Sequence, residues 1–350
     1  MFKFTIALKD KNMKISEIAE LAGVSNGTVD RVIHNRGSVS LVTKKKINKI
    51  IKESNYKPNI IASNLKKGKT LKIGILTPIL DSEEGYWRKC YLGMEKALYE
   101  LSDFSVEIIT KQFDRLIQGD LLEKGIELLN SSIDVLAFPP IIQIESYQLI
   151  TYLKDIPYAF FDSPLKKTTP ITENLQDPFK AGYCSARIME LFKPGAKTFL
   201  CLQMHDTASN LQKRTEGFCE YFKNKQATVL PYTWRGPIND LFYGFIDSML
   251  LKFPNINGIF MTNSTVGLLA DYLAKKHKEH HPTIIGFDLL EDNVDQLKNG
   301  NIDVLISQQP EIQGYTTIQE IFRIIFMKQQ KTISTNLIPV TIVLKENLQD

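Results

Sequence analysis

Apolar positions near the N-terminus recur at helical spacing in short bursts. Ile18, Leu21 and Ala22 stand at i, i+3 and i+4, one face of a short helix. Ser16 precedes them as an N-cap type of residue, followed by the acidic first-turn Glu17. Gly23 ends the segment, because glycine accepts the left-handed backbone that helix ends need. Val24 reads as a buried connection. Ser25 caps a second helix, Asn26–Ile33, with Val29, Val32 and Ile33 inward. After a loop at 34–37, Ser40 caps a third helix with Ile47, Ile50 and Ile51 inward. Two short helices joined by a glycine turn form a helix-turn-helix. The segment 59–68, bounded by Pro58 and Gly68, predicts about two turns of helix, too short to stand alone in water.

From residue 71 the pattern changes. Strands are predicted at 71–76, 106–110, 135–138, 158–161, 199–202, 228–231, 258–261, 283–287 and 304–306, with a final extended run at 338–344. Amphipathic helices fall between them, for example at 85–101, 120–129, 177–191, 211–222, 266–276 and 313–327. Such alternation predicts an α/β fold with parallel sheets. One compact sheet does not accommodate that many strands, so two lobes that share crossover segments fit better. Ligands of open α/β sheets bind outside the carboxyl ends of the strands. Those ends carry Trp87 in the loop 80–87, Asp162, Asn263, Asp288 and Gln308, and Arg214 lies early in a helix. Carboxylates, amides, a guanidinium and an aromatic ring suit a polyhydroxylated ligand. Each residue alone also has a structural reading: the aspartates as strand ends, Asn263 as a cap, Arg214 as a surface ion pair and Trp87 as core.

Composition sharpens this division. The 350 residues are 43% hydrophobic and 23% charged, which excludes a mainly disordered or collagen-like chain. The net charge of +4 conceals a split. Residues 1–70 hold 15 Lys/Arg against 5 Asp/Glu, a balance of +10, and the remainder holds 28 against 34, a balance of −6. A basic head calls for an anionic partner. Combined with the helix-turn-helix, that partner is duplex DNA, with the second helix in the major groove and Arg31 placed to fork onto guanine. The start has no signal-peptide core and the chain has no transmembrane-length apolar run, so a cytoplasmic location is expected. Cys90, Cys184, Cys201 and Cys219 lie far apart without a C-x-x-C pair and read as ordinary reduced thiols. His277 and His281 stand one helical turn apart but lack a third ligand, so no metal is expected. Gly68-Lys69-Thr70 lacks the earlier glycine of a phosphate loop, since Ser63 occupies that place. No nucleophile motif or dinucleotide fingerprint occurs, and no enzyme or cofactor is expected.

The head resembles the lactose-repressor (LacI) family of bacterial transcription regulators. Ile18-Ala19-Glu20-Leu21-Ala22-Gly23-Val24-Ser25, Thr28-Val29, Arg31-Val32, Val39-Ser40, Thr43, Asn55-Tyr56-x-Pro58-Asn59, Ala62 and Leu65 carry the resemblance. It implies an N-terminal all-α head on a two-lobed, periplasmic-binding-protein-like α/β sensor. It also implies a homodimer on a near-palindromic operator, with Leu65 wedged into the minor groove beside Ala62. Ser25, Thr28 and Thr43 match hydroxyls that hold phosphates, and Ser16, Asn26, Gly27, Arg31 and Asn59 complete the expected DNA-facing set. Asp162, Arg214, Asn263, Asp288 and Gln308 match the family's effector positions, and Trp87 matches by loop position. Asp30, Gly27 and Ser63 depart from the family pattern, which leaves the operator sequence open. The expected organisation is a tail at 1–12, a DNA-binding domain at 13–58, a hinge helix and linker at 59–70 and a sensor at 71–350. Lobe 1 takes about 71–176 and 309–335, and lobe 2 about 177–308 and 336–350. The expected function is a repressor of carbohydrate-utilisation genes whose operator affinity a small sugar changes. A regulator sensing a purine or other metabolite, or a sugar-binding transport receptor, stands as the alternative.

Overall fold

The computed structural model describes residues 13–33, 39–54, 70–82, 85–195, 198–204, 208–279, 282–329 and 334–348. The chain divides into two units, Met1–Ser63 and Asn64–Asp350.

The first unit contains α1 (Ile15–Ala22), α2 (Asn26–Ile33) and α3 (Leu41–Glu53) around Ile18, Ala19, Ala22, Val29, Val32 and Ile47. Helix α1 starts one residue before Ser16, which therefore is no cap. The Lys14 N–H donates to Glu17 Oε2 at 2.7 Å instead, and that carboxylate also faces the positive end of the helix. Leu21 points outward at 57% exposure, and Ala19 takes the inward place, because the buried face is centred on Ile18 and Ala22. Val24 is half-buried. Gly23 ends α1 at φ 68°, as the sequence predicts. Two hydroxyl pairs then start the next helices. Ser25 Oγ accepts from Thr28 N and lies 3.0 Å from Thr28 Oγ1. Ser40 Oγ accepts from Thr43 N and lies 2.8 Å from Thr43 Oγ1.

The second unit is built on two sheets. The first has the order β11-β5-β4-β3-β1-β2 and the second β12-β10-β9-β8-β6-β7. Their strands are β1 (Leu71–Pro78), β2 (Val106–Phe113), β3 (Val135–Phe138), β4 (Tyr158–Phe161), β5 (Thr172–Gln176) and β11 (Ser334–Ile338), then β6 (Thr198–Met204), β7 (Thr228–Trp234), β8 (Gly258–Met261), β9 (Thr283–Phe287), β10 (Val304–Ser307) and β12 (Thr341–Val343). Central strands β3, β8, β9 and β10 are buried along their whole length. That is why they read as unbroken apolar runs, since helices cover both faces of a parallel sheet. The helices are α4 (Tyr86–Glu100), α5 (Asp120–Leu129), α6 (Gln143–Leu153), α7 (Pro178–Phe192), α8 (Ser209–Phe222), α9 (Asp240–Lys252), α10 (Val266–Lys276), α11 (Glu291–Lys298) and α12 (Pro310–Ile321). None among the described residues is long and apolar enough to cross a membrane.

The chain passes between the lobes after β5, after β10 and after β11. The last passage corrects the sequence reading: β11 stays parallel to β5 through Ile338, so lobe 1 extends beyond 335. The extended run at 338–344 is likewise split, because Pro339 and Val340 separate β11 from β12, which pairs antiparallel with β10. One side chain ties the three passages. Gln176 Nε2 donates to Ser307 O at 3.0 Å and to Pro339 O at 3.2 Å.

Candidate functional site

A narrow cavity of about 30 Å³ lies between the two lobes, outside the carboxyl ends of both sheets. All six residues expected from the sequence line it: Trp87, Asp162, Arg214, Asn263, Asp288 and Gln308. Tyr86, Arg115, Asn210 and Ser264 join them. Asn210 had a legible signal, since it precedes Arg214 by four residues on the same helix. Tyr86 and Ser264 flank residues already singled out. Arg115 follows β2, whose carboxyl end offers no comparable motif.

Asp162 follows β4 and Asp288 follows β9, with φ of 65° and 68°. Aspartate tolerates this left-handed backbone better than most residues. Asp162 accepts three side-chain hydrogen bonds. Tyr86 Oη donates to Oδ1 at 2.8 Å, and Ser163 Oγ and Asn210 Nδ2 donate to Oδ2 at 2.6 and 3.1 Å. Its backbone N–H donates to Gln313 Oε1 at 2.9 Å. Burial, reinforced by the Asp162 charge, pushes the Tyr86 hydroxyl well above its ordinary pKa and keeps it a donor.

Asp288 is held differently. Gln308 Nε2 donates to Oδ2 at 2.8 Å and the Gln308 N–H approaches Oδ1 at 3.4 Å. Burial pushes its carboxyl up to about 7, outweighing the Arg214 charge and the Gln308 bonds. Arg214 is 2% exposed. Its guanidinium lies 3.8 Å over the Phe287 ring, donates to Thr262 O at 2.7 Å and donates to Gln308 Oε1. Burial lowers its pKa, with Asp288 and Asp162 opposing. Gln308 thus spans Arg214 and Asp288, and both ends of its amide are engaged. Asn293 fixes the surrounding loops by donating to Ser264 O, Phe287 O and Asp288 O at 2.7, 2.9 and 3.0 Å. Asn263 Oδ1 accepts from Thr265 Oγ1. Trp87 is 2% exposed, packs edge-on against Tyr86 and belongs to the first lobe's core as well as to the cavity wall. Among the described residues, buried donors here without a protein acceptor include Trp87 Nε1 and Arg214 Nε.

Among the described residues, hydrogen bonds that reach across the cleft include Asn210 to Asp162, Lys89 Nζ to Leu289 O at 2.6 Å, and Ser209 Oγ to Pro164 O at 3.3 Å.

In the head, Ser16, Ser25, Asn26, Gly27 and Arg31 are exposed, and Thr28 and Thr43 are half-buried. Asn59, Ala62 and Leu65 lie outside the described residues, as does His281. His277 bonds Asp247 at 2.7 Å.

Residues 14–59 match the model of bacterial regulatory proteins of the lacI family, and residues 73–329 match a periplasmic binding protein domain. The HTH-type transcriptional regulator MalR of Streptococcus pneumoniae is 24% identical over 281 residues, covering 78% of this chain and 83% of the relative. A sucrose operon repressor of Lactococcus lactis is 25% identical over 283 residues, covering 79% and 83%. The solved structure of GanP, a glucose-galactose binding protein from Geobacillus stearothermophilus, superimposes with a TM-score of 0.70 at 20% identity over 80% of this chain and 99% of that one, a likeness of fold. With a lacI-type head followed by a periplasmic-binding-protein body over most of its length, the chain belongs to the LacI family of bacterial DNA-binding regulators.

Proposed function

We propose that this regulator represses carbohydrate-utilisation genes, acting in the cytoplasm as a homodimer, with a small sugar bound between its lobes as effector. The observation that carries the reading is the cavity's mixture of needs. Asp162 and Asp288 take hydroxyl donors, while the buried Trp87 Nε1 and Arg214 Nε need acceptors. A vicinal diol supplies both, because each hydroxyl is one donor and two acceptor lone pairs. The Trp87 ring offers an apolar wall for a sugar face. The sucrose operon repressor among the relatives supports the same class of ligand.

Effector binding would compete with Asn210 for Asp162 and so bear on lobe closure, the element through which a LacI-type body couples to its head. Arg31, exposed on α2, would read a base, and Ser25, Thr28 and Thr43 would hold phosphates that fix register.

A thermal-shift screen of the full chain against monosaccharides, disaccharides and nucleobases tests the effector. A sugar should raise the melting temperature. Arg214→Ala should abolish that shift while specific operator binding survives. A response to a nucleobase alone would replace the sugar reading. Arg31→Ala should weaken specific binding by about 1–3 kcal/mol and relax one operator position in band shifts. Unchanged operator preference would remove Arg31 as a base reader.

A further inference from the structure

We infer that the effector carries an anionic group, a phosphate monoester or a carboxylate, held by Arg115 and Arg235 in a pocket beside the cavity. The inference rests on the sugar reading for the rest of the ligand. The pocket measures about 340 Å³. It lies between the loops that follow β1 and β2 in the first lobe and the loop that follows β7 in the second. Arg115 lines both this pocket and the cavity. The cavity itself offers only about 30 Å³, so a ligand seated between Asp162 and Asp288 finds room for a substituent toward Arg115. Another space, of about 220 Å³, adjoins the cavity past Asp288. Its lining sets one cation, Lys89, against Glu311 and Asp288, which leaves no positive surplus for an anion.

The two arginines come from equivalent places in the two lobes. Arg115 is the second residue after β2 and Arg235 the first after β7, and these strands stand at matching edges of the two sheets. Both side chains line one pocket, and an anion between them relieves the repulsion of two like charges. A guanidinium presents five N–H donors in a planar fork. A contact with the protein therefore leaves donors for a phosphate or carboxylate, which such a fork holds through two parallel bonds. The acid of the lining, Asp114, accepts the Leu116 N–H at 2.9 Å and shapes the turn that carries Arg115. Ile79, Leu116 and Pro237 supply an apolar wall. Beside such a wall the effective dielectric falls below that of water, and ion pairs strengthen. An anion gripped by one arginine from each lobe would also bridge the lobes, as Asn210 does at Asp162.

The anion alone is tested first, which needs no sugar. Thermal shifts of the full chain are measured in phosphate and in acetate against chloride, at constant ionic strength. The basic head also attracts anions, so the informative quantity is the difference between the wild type and Arg115→Ala or Arg235→Ala. Arg235 is exposed, so its replacement does not disturb packing. One or both anions should raise the melting temperature of the wild type more than that of either variant. A response confined to phosphate assigns the monoester, and one confined to acetate the carboxylate. Equal shifts in wild type and variants would overturn the inference.

Glucose, glucose 6-phosphate and glucuronate are then compared by calorimetry. A charged sugar should bind on the order of tenfold more tightly than glucose, and Arg235→Ala should remove that gain. Glucose binding as tightly as both charged sugars would overturn the inference and leave the sugar reading standing. An arginine-dependent response to the anion with no response to any sugar would do the reverse.

Discussion

The two lobes of the sensor are variations on one plan, and their difference lies at the cavity. Both sheets share one strand order, with β1 to β5 of the first corresponding to β6 to β10 of the second. Each places an aspartate in a left-handed conformation after its fourth strand. Each packs the helix after its first strand against a crossover helix through two glycines. Gly93 and Gly314 do this for α4 and α12, and Gly182 and Gly217 for α7 and α8. Added Cβ atoms would lie 1.9 to 2.1 Å from backbone oxygens at all four. The aspartates, however, are supported unequally. Among the described residues, Asp162 receives three side-chain donors, whereas Asp288 receives Gln308 alone and is raised by burial. The same backbone device therefore gives one carboxylate anchored by the protein and one whose charge depends on what else enters the site. Supporting residues differ in the same sense: Gln313 holds the Asp162 backbone, and Asn293 holds the loop of Asp288.

The largest effect should come from titration of Asp288. With its carboxyl pushed up to about 7, Asp288 keeps in the folded state a proton that the unfolded chain releases near pH 4. Its contribution to stability is full below pH 4 and is lost as pH rises to about 7, by about 4 kcal/mol in all. Asp288→Asn should flatten this segment of the stability profile in urea unfolding. An unchanged profile in that variant would remove Asp288 as the titrating group. Sugar hydroxyls that donate to Asp288 favour its carboxylate, so effector affinity should rise from pH 6 to 8 in the wild type.

The glycine contacts test the shared plan. Gly217→Ala and Gly314→Ala should each cost about 1–3 kcal/mol or more, because backbone atoms have no rotamer by which to yield. The contrast within the second lobe is Gly244, inside α9, where a Cβ meets nothing within 4 Å. Gly244→Ala should stabilise by about 0.5–1 kcal/mol, the smallest effect in the set. Chemical denaturation of the three variants measures both signs.

Much of this was legible beforehand for a physical reason. Strands buried on both faces must be apolar throughout, so β3, β8 and β9 announce themselves. β5 does not. Its buried Thr172, Asn174 and Gln176 are polar, and it pairs with β11 through a rung in which Asn336 donates to Asn174 at 2.7 Å. A polar strand satisfied by a partner some 160 residues away has no local signature. Ser16 and Leu21 depart from the periodicity because helix phase, unlike helix existence, is set by which face finds the core.

By itself the sequence determined the basic helix-turn-helix, the alternation of strand and helix, and which side chains stand at strand ends. These are local properties, written in periodicity, caps and charge. Tertiary structure alone decided that Gln308 links Arg214 to Asp288 and that Gln176 ties the three passages. Such relations depend on distances between segments remote in the chain, and only packing fixes those distances.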